Sequence, residues 1–273
     1  MLTKLIAQEF RATRRIYLPA FLAIAVLSVL NAILFVTVWN ADTFSIPAGL
    51  IFTLYIFALF AVWVLALVYT IQRFQKNLLS DEGYLMFTLS VRPSQLIWSK
   101  AITALVWVVL TAIVCGVSLC LILTPIMVAS SNGAMGFSTL FQGFGQVVSE
   151  LWKEYGINWV LIALETLVGC IITILAFCMK IYACLSVGNL FNRHRIAWAF
   201  GAYVLFGFVV QAVEMFVLHI VGKQDVLNLT NVDISAVGSV ELFLVIMIVL
   251  QLVLCAIYYV ITNVILSRHL NLQ

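Results

Sequence analysis

Glu165 is the residue of this chain whose position most needs a chemical reason. It stands about two turns inside an apolar stretch, Asn158-Trp-Val-Leu-Ile-Ala-Leu-Glu165, where a carboxylate is costly unless it faces protein or water. Glu214 occupies a second apolar stretch, with Gln211 one turn before it and His219 beyond. Its place near the outer edge is explained equally well by a wetted surface position. If both glutamates line a cavity, they give its outer half an attraction for cations. That is binding or pathway chemistry, and nothing in the chain adds bond-making chemistry to it. His194, His219 and His269 stand alone, and the six cysteines lie in or beside apolar stretches without a CxxC pair, as packing thiols do. The Gly222-Lys223 pair lacks the rest of a phosphate-cradling loop, since position 217 is valine and Gln224 follows the lysine. No enzyme activity, metal or cofactor is expected in this chain.

The elements that must position these residues are six apolar runs, at 16–38, 46–69, 101–123, 159–179, 196–221 and 240–266. Each reaches about 20 residues, enough for a helix to cross the hydrocarbon. A backbone in lipid must satisfy its own hydrogen bonds, so runs of this length are helices. The short alternating segments of a β-barrel are absent. Hydrophobic residues make up 64% of the chain and charged residues 9%, too few to solubilise a globular surface of this size. The class expected is an all-α polytopic membrane protein of six transmembrane helices, with residues 1–273 forming a single transmembrane domain.

Charge placement orients it. Twelve of the 14 Lys and Arg residues fall on one side: Lys4, Arg11, Arg14 and Arg15, then Arg73, Lys76, Arg92 and Lys100, then Lys180, Arg193 and Arg195, and finally Arg268. Only Lys153 and Lys223 fall on the other, beside Asp42, Glu150, Glu154, Asp225, Asp233 and Glu241. The positive-inside rule then puts both termini in the cytoplasm. The first apolar run is too long for a cleaved signal and is read as a retained anchor.

Outside the runs lie three amphipathic segments, one before the first run and two between runs. Over residues 1–15, Leu2, Leu5, Ile6, Phe10 and Thr13 share one helical face, opposite Lys4, Gln8, Arg11 and Arg15. A basic amphipathic helix of this kind lies in the headgroup layer, and Pro19 marks a bend into the first span. In the second-to-third connection Ser80 is an N-cap, with Asp81 and Glu82 favouring the positive end of a short helix. Tyr84, Leu85, Phe87 and Leu89 follow, and Arg92-Pro93 ends the run. So short a segment cannot span, and its aromatic and aliphatic cluster must be buried in its own bundle or on a partner. In the outer connection between the third and fourth spans, Phe137, Leu140, Phe141, Phe144, Val148, Leu151, Trp152 and Tyr155 recur at helical spacing. That pattern fits either an interfacial helix or a cap over the bundle.

The stretch Ser80-Asp-Glu-Gly-Tyr-Leu-Met-Phe-Thr-Leu-Ser-Val91, with Ser99-Lys100 after it, resembles the intracellular loop of ATP-binding-cassette permeases of the type-two exporter class. The family shows E-G-Y-L-x-x-T-L-P-V followed by S-K, so Ser90 replaces the usual proline and the kink moves to Pro93. Ser186-Val-Gly188-Asn189-Leu-Phe-Asn-Arg-His194-Arg195 is similar to the family's S-x-G-Q-L-x-x-x-H-K stretch, with Asn189 for glutamine and Arg195 for lysine. The resemblance covers the whole chain. It implies an N-terminal amphipathic elbow helix and short cytoplasmic coupling helices, with Asp81, Glu82, Tyr84, Leu85, Phe87, Leu89, Gly188, Asn189 and His194 docking on an ATPase subunit.

It further implies two ATPase subunits carrying ATP and Mg, a second copy of this chain, and a bacterial cell membrane; no nucleic-acid partner is expected. The function expected is export of an amphipathic peptide or a lipophilic compound, with Glu165, Glu214 and Gln211 on the substrate pathway. The alternative is an ion-coupled secondary transporter or channel with Glu165 as its ion site. That would call for internal repeats or helices interrupted near the membrane centre, and the four prolines lie near run ends or in connections.

Overall fold

The computed structural model of the chain describes residues 2–40, 46–79, 93–130, 142–143, 145–146, 148–150, 152–153, 156–191, 193–222 and 234–268. Six long helices account for nearly all of them: α1 (Leu2–Asn40), α2 (Ile46–Phe74), α3 (Pro93–Ser130), α4 (Asn158–Gly188), α5 (Arg195–Gly222) and α6 (Ile234–Arg268). Each contains a segment long and apolar enough to cross a membrane, from Thr3–Leu34 in α1 to Glu241–Ser267 in α6. The chain is a polytopic, all-α membrane protein.

The helices outrun the apolar stretches that mark them. Helix α3 begins at Pro93, where the Arg92-Pro93 break leads the sequence to start it, eight residues ahead of the apolar run at 101, and α4 continues to Gly188, past the apolar limit at 179. Hydropathy marks only the hydrocarbon-crossing part, whereas helical hydrogen bonding continues wherever flanking residues permit it. Pro93 suits a first helical position, where its missing N–H would have no helical partner. Residues 1–15 are not set off from the first span: α1 is a single helix of 39 residues that passes through Pro19. Proline there removes one N–H bond and crowds the Arg15 carbonyl, which a long helix tolerates. Along this segment Leu5, Ile6 and Phe10 are half-buried and Thr13 buried, while Lys4, Gln8, Arg11 and Arg15 are exposed, as the periodicity requires. Beyond Phe74, α2 ends in a π-helical turn, Gln75–Leu79.

The chain packs as two compact units. One comprises Ala7–Tyr69 and Val106–Lys153. In it Tyr17 stacks on Trp107 at 4.5 Å between ring centroids, with Phe10, Phe21 and Tyr69 around the pair. Nearer its other end, Ile24, Tyr55, Val62, Cys115 and Ile122 form a second buried cluster. There the Ser118 hydroxyl donates to the Cys115 carbonyl at 2.8 Å and also lies 2.8 Å from the Tyr55 hydroxyl. A serine has one hydroxyl proton, so Tyr55 is the donor to Ser118. Lipid supplies no hydrophobic drive between helices, so ring packing and interhelical bonds of this kind hold the unit together. GxxxG pairs are absent from the sequence.

The other unit comprises Met1–Ile6, Thr70–Leu105 and Glu154–Gln273. Gly169 of α4 packs on Ile248 of α6. Further along both helices, Ala176–Ala183 meet Cys255, Tyr258 and Leu266, so α4 and α6 run parallel. Helix α5 returns antiparallel to both: Glu214 bonds Gln251, while Phe206 packs on Tyr258 at 5.6 Å. Its core sits at the end where Phe74, Leu78, Leu96, Ile97 and Ala101 join Met179, Tyr182 and Ala183. Arg73, Lys76, Lys100, Arg193 and Arg195 belong to the same unit, and this is its basic end.

Candidate functional site

Between α4 and α5 the chain turns within a few residues, and the turn is rigid for local reasons. The Asn189 amide donates to the Leu185 carbonyl at 3.1 Å, Leu190 to Val187 at 3.1 Å and Phe191 to Gly188 at 3.3 Å, which tightens the last turn of α4. His194 then takes φ +61°, a left-handed conformation that reverses the chain, and its carbonyl accepts the Trp198 amide at 3.1 Å to start α5. Gly188 makes the corner possible. A methyl on its Cα would lie 2.6 Å from Ala199 Cβ, 2.7 Å from the Arg195 carbonyl oxygen and 2.8 Å from the Ala199 nitrogen. Two of those atoms are backbone and cannot swing aside. Phe191 stacks on Trp198 at 4.2 Å and 13°, closing the outside of the turn.

Chemically, the corner presents exposed apolar side chains, Leu190 and Phe191, flanked by the exposed Arg193 and His194. Gly188 and Asn189, two expected docking residues, are buried beneath it, so they shape the corner, while His194 stands at its surface. The remaining docking residues, Asp81, Glu82, Tyr84, Leu85, Phe87 and Leu89, lie outside the described residues. The anchors on either side of their stretch are described. Phe74 stacks face to face on Tyr182 of α4 at 4.2 Å and 10°, Leu78 is fully buried, and Leu96 and Ile97 return to the same cluster. The described residues on either side of 80–92 therefore belong to the same packed core as Met179 and Tyr182 of α4.

The pathway candidates lie elsewhere. Glu165 is half-buried, and its Oε2 is sealed from solvent without a hydrogen-bond partner among the described residues. Glu241, which the sequence marks only as an outer-side acid, has an Oε1 in the same condition, as does the Nε1 of Trp159. The parallel register brings the two glutamates to related places. Glu165 is one turn before Gly169 and Glu241 two turns before Ile248, so both lie on the facing sides of α4 and α6, about 4.5 Å apart in height. Glu214 is half-buried and accepts a hydrogen bond from Gln251 Nε2 at 3.1 Å, which accounts for it as an interhelical tie. Gln211 and His219 are exposed.

Lys180, assigned by the sequence to the connection after the fourth span, instead belongs to that span. It lies in α4 with its ammonium 4.5 Å from the centroid of the Tyr203 ring. Two further charges were not legible as buried: Glu9, on the inner face of α1, and Lys100, near the start of α3. Glu9 falls between Ile6 and Thr13 on the apolar face, and that spacing was its only signal. Among the described residues no cluster of His, Cys, Asp and Glu is fit to hold a metal ion. No family model, curated protein or solved structure matches the chain.

Proposed function

We propose that this chain is the transmembrane subunit of an ATP-driven exporter, with ATP hydrolysed on separate ATPase subunits. The observation that carries the reading is the shared footing of the two connections at the basic end. Residues 80–92 are bracketed by Phe74, Leu78, Leu96 and Ile97, and residues 186–191 with 193–195 form a locked corner on α4, whose Tyr182 stacks on Phe74. A load applied by a partner to either connection reaches α4 and α6 through rigid packing. Leu190 and Phe191, apolar and exposed beside Arg193 and His194, have the chemistry of a partner surface. The motif resemblance supplies the kind of partner: two ATPase subunits, each binding ATP and Mg, on a pair of these chains. The basic residues at this end support a cytoplasmic placing of it. The cargo is an amphipathic, preferably cationic, peptide or a lipophilic compound.

Purification from native membranes in mild detergent tests this. A nucleotide-hydrolysing subunit should copurify, and Tyr84→Ala with Phe87→Ala should reduce its recovery without reducing insertion of the chain. Buried apolar anchors of an interface typically cost ~1–4 kcal/mol each when truncated. Recovery of the chain with no ATP-hydrolysing partner would sink the proposal. One observation favours a second reading, an ion-coupled transporter: the unpartnered Oε2 of Glu165. In that case transport would follow a pH or ion gradient and continue without ATP.

A further inference from the structure

We propose that Lys180, Tyr203 and Gly207 form a binding site for the phosphate of an anionic lipid in the leaflet at the basic end. Lys180 lies eight residues before the end of α4, about 12 Å along the helix axis. A lysine just beyond the apolar limit of a span reaches toward the headgroup layer, where its ammonium favours an anionic partner. The Tyr203 ring, 4.5 Å away, covers one side of it by cation–π attraction. A ring face accepts charge but uses few of the three N–H donors. Among the described residues no carboxylate takes the others: Glu214, the acid of α5, lies two turns beyond Gly207 and is bonded to Gln251.

Access to those donors depends on Gly207. The place where its Cβ would sit is 3.5 Å from Lys180 Nζ, so any larger side chain there would cover the ammonium. Around this opening α5 presents Val204, Leu205 and Phe208 outward, while Lys180 itself is half-buried and Tyr203 is 36% exposed. The site is thus at the margin of the α4–α5 pair, open toward the bilayer. Its depth fits a headgroup. The exposed Tyr203 and Trp198 lie toward this end of α5, as aromatic side chains do at the membrane–water boundary. The commonest anion at that boundary is a lipid phosphate, and basic pockets between helices at this depth recognise such headgroups. A soluble phosphate shares the chemistry but must arrive from water.

Native mass spectrometry of the detergent-solubilised protein with added lipid tests the assignment. Phosphatidylglycerol should be retained in preference to phosphatidylcholine. Lys180→Met, which keeps the chain's length and apolar packing, should weaken that retention about fivefold, the contribution of one basic residue near a charged membrane surface. Lys180→Arg should retain it. Gly207→Leu should weaken it with the charge still present, which keeps the test valid if Lys180→Met does not fold. Equal retention of the two lipids by the unaltered protein, or retention unaffected by either variant, would overturn the site. If millimolar inorganic phosphate raises the melting temperature and phosphatidylglycerol does not, the occupant is a soluble phosphate and the lipid assignment is wrong.

Discussion

Gly188 packs so closely on Ala199 that a methyl group on its Cα would lie 2.6 Å from the alanine Cβ. The contact fixes the end of α4 against the first turn of α5, and backbone atoms of Arg195 and Ala199 press equally close. Gly188→Val should therefore force the two helices apart. Overpacking of this kind typically costs ~1–3 kcal/mol. A fall in melting temperature, followed by tryptophan fluorescence in detergent, would register it. Adding Ala199→Gly should recover only part of the loss, because the backbone contacts at 2.7 and 2.8 Å remain. Full tolerance of Gly188→Val would mean that the corner is not rigid.

The stack of Phe74 on Tyr182 is expected to behave as one unit. Both rings are buried, and truncation of either leaves the other facing a void. Phe74→Ala and Tyr182→Ala should each destabilise by ~3–5 kcal/mol, and the double variant by less than their sum. The coupling expected for an aromatic pair is ~0.5–1.5 kcal/mol beyond area burial. Strict additivity in a double-mutant cycle would show that the two ends of the α2–α4 contact act independently.

Sidedness gives a third expectation. In a cysteine-free background, a cysteine at Asn228 should react with an impermeant maleimide from outside intact cells. One at Lys76 should react only after permeabilisation. The reverse pattern would place the basic end outside the cell and remove the docking argument with it.

Much of the architecture was legible because membrane helices announce themselves by length and hydropathy, and all six runs are helices. What hydropathy misses is where a helix stops. The apolar run ends at Met179, so Lys180 read as a connection residue, although α4 continues to Gly188 with Lys180 against Tyr203. Contacts between distant helices leave no periodic trace at all. Gly169 against Ile248, which sets the α4–α6 register, and the partnerless oxygen of Glu241 depend on how two spans dock. Glu165 was legible because one carboxylate interrupts an otherwise apolar run, and it remains the pathway candidate with the least structural explanation.

Glu165 supplies the last expectation. Its Oε2 is shut away from water with no donor among the described residues, so the charge weakens the fold wherever nothing binds it. Removing an unsatisfied polar atom sealed from water is neutral or stabilising when the replacement packs. Glu165→Leu should therefore melt at the same temperature as the unaltered protein or higher. Glu165→Gln, which keeps the shape and removes only the charge, should also assemble normally. Both should lose cargo-stimulated ATP hydrolysis, most severely for cationic cargo, because the attraction for that cargo has gone. A group kept for structure would give the opposite pairing: lower melting temperatures in both variants and unchanged stimulation for every cargo. Stability gained together with cationic transport lost is the outcome that a pathway carboxylate predicts.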